Sequence, residues 1–282
     1  MVESREKVAL VTGASSGIGE AIARRLLQRG WRVAMTARRE ERLVSLVKLL
    51  DVAGDRTLTL VGDVTSAADR QRWVQRTYER WGRIDALVNN AGYGQRGPIE
   101  LVPVEAIRAN FETNLFSLVA LTQLVIPLMR GRGRGRIINV GSVAGRIARP
   151  FSSVYDATKH ALNAVSDGLR GELRPFGIDV VVIQPGFITT EFVDAANKVS
   201  GEVIRHMGVY SEAWEAMQKS IGTVKRLAGR PDDIADLVER ALDARHPRAR
   251  YSGPKHAKLF LALKWLLPDR LFDRVFRVRR SP

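Results

Sequence analysis

The sequence predicts an α/β chain built on a doubly wound, seven-stranded, mainly parallel sheet. Short β-rich apolar runs alternate with longer segments of helical period, a glycine-rich turn joins the first run to the first helix, and 45% apolar with 27% charged residues suits a globular chain with a large core. The predicted strands are Val8–Thr12, Val33–Ala37, Thr57–Val61, Ile84–Asn89, Arg136–Val140 and Ile178–Gln184, with a seventh at Arg250–Ser252. Each has the length of a buried strand. After the first strand, Ile18, Ile22 and Leu26 recur every fourth residue on one helical face, and Gly30 stands where a helix C-terminus favours positive φ. Ser66-Ala67-Ala68-Asp69 reads as a capping box opening the third helix, and Pro231 with Asp232 and Asp233 marks a later helix start. One domain is expected over residues 1–253, followed by a basic amphipathic extension over 254–282.

Composition removes several classes of chemistry. With no cysteine there is no disulfide, no thiolate nucleophile and no Cys-ligated metal, and four scattered histidines offer little to a metal ion. The net charge of +15 would suit an acidic partner or an anionic surface. The uncharged stretch from Thr113 to Met129 contains Ser117, Thr122, Gln123 and Pro127 and falls short of the roughly 20 apolar residues that cross a bilayer, so no transmembrane helix is expected. Met1–Lys7 is charged and runs into a strand, which reads as no signal peptide and a cytoplasmic location. Arg130-Gly131-Arg132-Gly133-Arg134-Gly135-Arg136 reads as a solvated connection rather than a nucleic-acid-binding segment.

The first strand ends in Thr12-Gly13-Ala14-Ser15-Ser16-Gly17-Ile18-Gly19, and a helix starts inside this run. Glycine there allows close backbone approach, while free N–H groups and the helix dipole attract a pyrophosphate. The G-x-x-x-G-x-G spacing resembles that of the short-chain dehydrogenase/reductase family, whose further motifs appear in order as Asn89-Asn90-Ala91-Gly92, Tyr155-Asp156-Ala157-Thr158-Lys159 and Pro185-Gly186. The match runs over roughly residues 5 to 253 and implies a Rossmann fold binding a nicotinamide dinucleotide. The implied cofactor site comprises Gly13, Ser15, Ser16, Gly17, Ile18, Gly19, Asp63, Val64, Asn90, Ala91, Gly92, Tyr155, Lys159, Pro185, Gly186, Ile188 and Thr190. Strand two ends in Arg38 and Arg39, where a carboxylate would select NAD; guanidinium groups suit the extra phosphate of NADP(H).

Tyr155 and Lys159 lie four apart in a helical segment, one turn apart on one face. A phenol has a pKa of ~10, and a nearby cation lowers such a value by roughly 1–3 units, so the pair reads as an activated acid–base couple. The resemblance adds Ser142, closing strand five, as the group orienting a carbonyl, and Asn114 as holder of a water that returns protons to Lys159. Family members are commonly dimers or tetramers, which implies a homodimer or homotetramer.

Phe187, Phe192, Val203, Ile204, Met207, Tyr210, Trp214 and Met217 make residues 187–228 a predicted apolar lid. With Tyr93, Val143 and Phe151 it points to a hydrophobic alcohol or carbonyl substrate such as a steroid, retinoid, or fatty or aromatic compound. The extension carries Leu259, Phe260, Leu263, Trp265, Leu266, Leu271 and Phe272 among basic residues. It reads as packing on the body, a subunit interface, closure over substrate, or peripheral membrane contact. Reduction of a 3-oxoacyl thioester on an acidic carrier protein is the second enzyme reading; a non-catalytic NADP-binding or membrane-associated module is the third.

Overall fold

The computed structural model describes residues 6–50, 54–225 and 228–276, without the side chains of 220–225, 275 and 276. The first and last residues of the predicted domain and extension, 1–5 and 277–282, lie outside the described residues. Seven strands form one sheet: β1 (Val8–Thr12), β2 (Arg32–Ala37), β3 (Thr57–Val61), β4 (Ala86–Asn89), β5 (Gly135–Val140), β6 (Ile178–Pro185) and β7 (Arg250–Gly253). Their spatial order is β3-β2-β1-β4-β5-β6-β7 and every pairing is parallel, including that of the short β7 on β6.

The helices that link these strands are α1 (Gly17–Gln28), α2 (Glu40–Leu50), α3 (Ala67–Trp81), α4 (Val104–Phe111), α5 (Ser117–Gly131) and α6 (Ser153–Leu173). After β6 come α7 (Phe192–Val199), α8 (Gly201–Arg205), α9 (Ser211–Lys225) and α10 (Pro231–Asp243); α11 (Lys255–Leu266) and α12 (Asp269–Phe272) follow β7.

Period-two alternation sorts each strand between two cores. Ala9, Val11, Val33, Met35, Ala86, Val88, Ile138 and Val181 meet Ile22, Leu26, Ile234 and Val238 of α1 and α10. Their neighbours Leu10, Ala34, Leu87, Ile137 and Val180 face Trp73 of α3 and Leu121, Val125 and Met129 of α5. Ser66 caps α3 as predicted, accepting from the Asp69 N–H at 3.2 Å. The reciprocal half of that box is not made. The Asp69 carboxylate instead accepts from the Asp63 N–H at 2.9 Å and fixes the turn after β3.

Helix α4 runs through a π-helical turn, Glu112–Phe116, into α5, so the segment Val104–Gly131 is longer than the sequence reading allowed. By length and composition its 28 residues could cross a membrane. Its buried side, however, holds Asn110, Asn114, Leu121, Val125 and Met129 against the rest of the fold, as a core helix does.

The extension is helical, as α11 and α12. Ala257 and Phe272 are buried, but Leu259, Trp265, Leu266 and Leu271 are exposed, so apolar residues are not gathered on one inward face of α11. It is held to the body by the buried Ala257 and by one polar contact, in which the His256 ring accepts from the Phe187 N–H at 2.9 Å, both against the Gly186 turn.

Candidate active site

The C-terminal ends of β1 to β6 open into a cleft of about 1100 Å³, where the strand order reverses between β1 and β4. This is the ligand position of a doubly wound sheet. Ser16 opens α1 without a side-chain cap, leaving first-turn N–H groups directed at the cleft. Gly13 and Gly17 hold φ of 66° and 58°, and a side chain on Gly13 would press on Ala91 and Asn90. The neighbouring motif is bolted to this loop. Thr12 Oγ1 accepts from the N–H groups of Asn90 and Ala91, both at 3.0 Å, while Asn90 Nδ2 donates to the carbonyls of Thr12 and Gly13. A Cβ at position 19 would run into the Gly13 carbonyl and the Asn90 amide. Gly19→Ala is therefore expected to cost about 1–3 kcal/mol by overpacking and to weaken dinucleotide binding, read by thermal melts and a fluorescence titration with NADPH.

Every residue assigned to the cofactor from sequence lines this cleft. The Arg39 guanidinium donates to Ser16 Oγ at 2.7 Å and Ser15 Oγ at 3.3 Å, and reaches Glu191 Oε2 at 3.0 Å. Arg38 stands in solvent, 3.7 Å from the Asp63 carboxylate, whose other oxygen accepts from Thr65. The glycine cradle, the uncapped helix start and two guanidinium groups beside it fit a dinucleotide carrying an added phosphate.

Tyr155, Ser142 and Lys159 line the same cleft, and Asn114 lies buried behind Gly92. Asn114 sits in the π-helical turn, a common device for aiming a functional side chain. Its Oδ1 accepts from the Tyr93 N–H at 3.0 Å, and its Nδ2 donates to Tyr93 O at 2.9 Å and Thr158 Oγ1 at 3.1 Å. Lys159 Nζ donates to Val140 O at 3.0 Å and stands 5.8 Å from the centre of the Tyr155 ring.

The electrostatics differ from the sequence expectation. Burial pushes the Tyr155 phenol up to about 12; Arg149, Ser142 and Arg96 pull it down and Asp156 pushes it up, and burial prevails. Burial also lowers the Lys159 ammonium to about 8. A cation four residues away is thus present, but in a desolvated position where it tends to lose its own charge.

Arg96, Arg149 and Asp156 went unassigned in the sequence. Arg149 donates its backbone N–H, Nε and Nη2 to the fully buried Asp156 carboxylate at 2.8, 3.2 and 2.6 Å. Asp156 adjoins Tyr155 in the quoted motif, and that adjacency was the available signal; no spacing rule links it to Arg149 or Arg96.

Of the predicted pocket residues, Tyr93, Val143, Phe187 and Phe192 line the cleft, with the Phe192 ring 5.4 Å from that of Tyr155. Phe151 does not. With φ of 60° it turns away and packs edge-on against Tyr210 and Trp214, in a cluster with Met207, Ile204 and Met217. Val203 joins Val102 and Val154. Most of the predicted lid's apolar residues therefore pack α8 and α9 onto Val102, Val154 and Phe151 rather than face a ligand.

The sequence profile described as short chain dehydrogenase matches residues 7–200. An NADPH-dependent 3-dehydrocapnine reductase of Ornithobacterium rhinotracheale is 34% identical, with 96% of each chain covered. A 3-ketodihydrosphingosine reductase of Bacteroides thetaiotaomicron is 31% identical, over 96% of this chain and 97% of that one. Among solved structures, actinorhodin polyketide ketoreductase with NADPH superposes with a TM-score of 0.72 at 33% identity, covering 92% of this chain and 94% of that one. With its glycine loop, its Tyr155 and Lys159 pair and its parallel sheet in one arrangement, the chain belongs to the short-chain dehydrogenase/reductase family of oxidoreductases.

Proposed function

We propose that the protein is an NADP(H)-dependent oxidoreductase that interconverts a carbonyl and a hydroxyl on a hydrophobic substrate. The observation that carries this is the meeting of Tyr155, Ser142 and Lys159 with the glycine loop and Arg39 in one cleft. The NADPH named for one relative and one structural neighbour supports the same reading. NADP(H), when bound, supplies or accepts the hydride. In reduction Tyr155 donates its phenolic proton to the carbonyl oxygen, and Ser142 orients that oxygen by a hydrogen bond. Lys159 returns a proton from the solvent side past Asn114. In oxidation the same protons move the other way. Phe192, against Tyr155, excludes water from the reacting groups and favours an apolar substrate.

Loss of NADPH absorbance across a panel of steroid, retinoid, fatty and aromatic carbonyls tests this, and no turnover on any of them, with NADPH bound, overturns it. Reduction of a 3-oxoacyl thioester remains the second reading. A net charge of +15 favours an acidic carrier, and faster turnover on carrier-bound than on free thioester would select it.

The buried ammonium sets an expected pH dependence. Tyr155 stays protonated to about 12 and Lys159 only to about 8, so the reductive rate is expected to fall as pH rises through about 8 while the phenol remains intact. The unfolded chain binds the Lys159 proton up to a pKa of 10.5, so this residue makes stability rise with pH between about 8 and 10.5. Tyr155 acts oppositely and higher, losing stability between 10 and about 12. Rates in overlapping buffers, with urea melts of Lys159→Met beside the parent, check both signs.

A further inference from the structure

We infer that the substrate is amphiphilic, carrying an oxyanion group of the carboxylate, sulfonate or phosphonate class a few bonds from its carbonyl, and that Arg96 binds that group. The inference rests on the carbonyl-reductase reading above and names the substrate within it.

Two guanidinium groups, Arg96 and Arg149, line the cleft near Tyr155, with one buried carboxylate between them to balance their charge. Arg149 takes it. Its three bonds to Asp156 satisfy that ion pair, and Asp156 keeps Arg149 charged although burial opposes this.

Arg96 is left without such a partner. It is 8% exposed and makes no ion pair among the described residues; Asp156 acts on it only through space, against the repulsion of Arg149. Its guanidinium donates through one long hydrogen bond, 3.5 Å to Ser152 Oγ. The rest of the residue is firmly held: Ser200 Oγ accepts from its N–H at 2.8 Å, and Gln95 Nε2 donates to its carbonyl. The backbone is thus anchored, while most of the five side-chain donors stay open toward a ligand.

A guanidinium remains charged under such burial, and a desolvated charge with unfilled donors costs free energy unless something supplies the counter-charge. An oxyanion does so bidentately, matching the planar fork. Arg96 and Ser152 would receive the charged head, and Phe192, Phe187 and Val143 the apolar remainder. A neutral steroid or retinoid would leave Arg96 unpaired.

The test uses matched 2-oxoalkyl sulfonates, phosphonates and 3-oxo carboxylates beside their neutral esters, assayed by NADPH oxidation. The parent is expected to favour the anionic probe over its ester by at least about 10-fold in kcat/KM, and Arg96→Gln to reduce that preference by about 10- to 100-fold. Arg96→Lys, which keeps the charge and loses the fork, is expected to fall between them. Equal handling of anion and ester by the parent, or an unchanged preference in Arg96→Gln, overturns the inference; the first of these needs no variant.

A second measurement separates this inference from the activity beneath it. Binding of a non-reducible alkyl sulfonate to the NADPH-loaded protein is followed by calorimetry in the parent and in Arg96→Gln. Tight binding in the parent that weakens at least 10-fold in the variant upholds the Arg96 site even if no carbonyl is turned over, in which case only the reductase reading falls. No binding in the parent removes the site.

Discussion

Tyr155→Phe is expected to lower kcat for carbonyl reduction by about 10²–10⁴-fold while NADPH affinity stays close to that of the parent, measured by single-turnover rates and fluorescence titration. Tyr155 is 9% exposed and its ring is roofed by Phe192. Burial holds it protonated up to about 12, which is the form a reductase needs in its acid. The phenylalanine ring fills the same space, so the variant deletes a proton and little else. A residual rate within tenfold of the parent would move the proton donor elsewhere.

That same burial opposes the formation of charge on both groups. An ammonium near a phenol would make a good base at neutral pH, but burial raises Tyr155 and lowers Lys159, so desolvation is the largest influence on each of them in this cleft. The cations that act on the phenol are Arg149 and Arg96, both on the substrate side. Proton affinity at Tyr155 is therefore sensitive to what occupies the substrate end of the site. An anion drawn to Arg96 would cancel part of that positive field and hold the phenol still more firmly protonated until reaction.

The sheet was legible because each strand is an apolar run of strand length between turn signals, and its two faces read as alternate residues. Leu10 and Val11 need no tertiary knowledge to be assigned to opposite sides. The glycine loop was legible for a similar reason: its residues are consecutive and their spacing is dictated by one turn. Arg96, Arg149 and Asp156 were not, because their association is made in space, between the loop after β4, the loop after β5 and the start of α6. Phe151 misled for a local reason. A bulky residue with φ of 60° directs its ring where no extended or helical reading would send it. The charged face of Asp69 misled too, since a carboxylate three residues after a capping serine can serve a neighbouring turn equally well.

Removing both Arg38 and Arg39 as alanines is expected to reduce the preference for NADPH over NADH by roughly 100-fold or more, from the loss of two charge-assisted contacts. The two arginines differ in readiness. Arg38 stands open, whereas Arg39 is already shared among Ser15, Ser16 and Glu191. Glu191, drawn well below the usual carboxylate range by Arg42 and Arg39, competes for the charge a phosphate would use. Glu191→Gln should therefore shift affinity the other way, tightening NADPH a few-fold and leaving NADH nearly unmoved, with the difference shrinking in high salt. Titrations of both dinucleotides against the two variants decide it. A double alanine variant that binds NADPH and NADH in the parental ratio would show that neither guanidinium reads the phosphate, and a Glu191→Gln variant that weakens NADPH would show that the carboxylate positions Arg39 instead of competing for it.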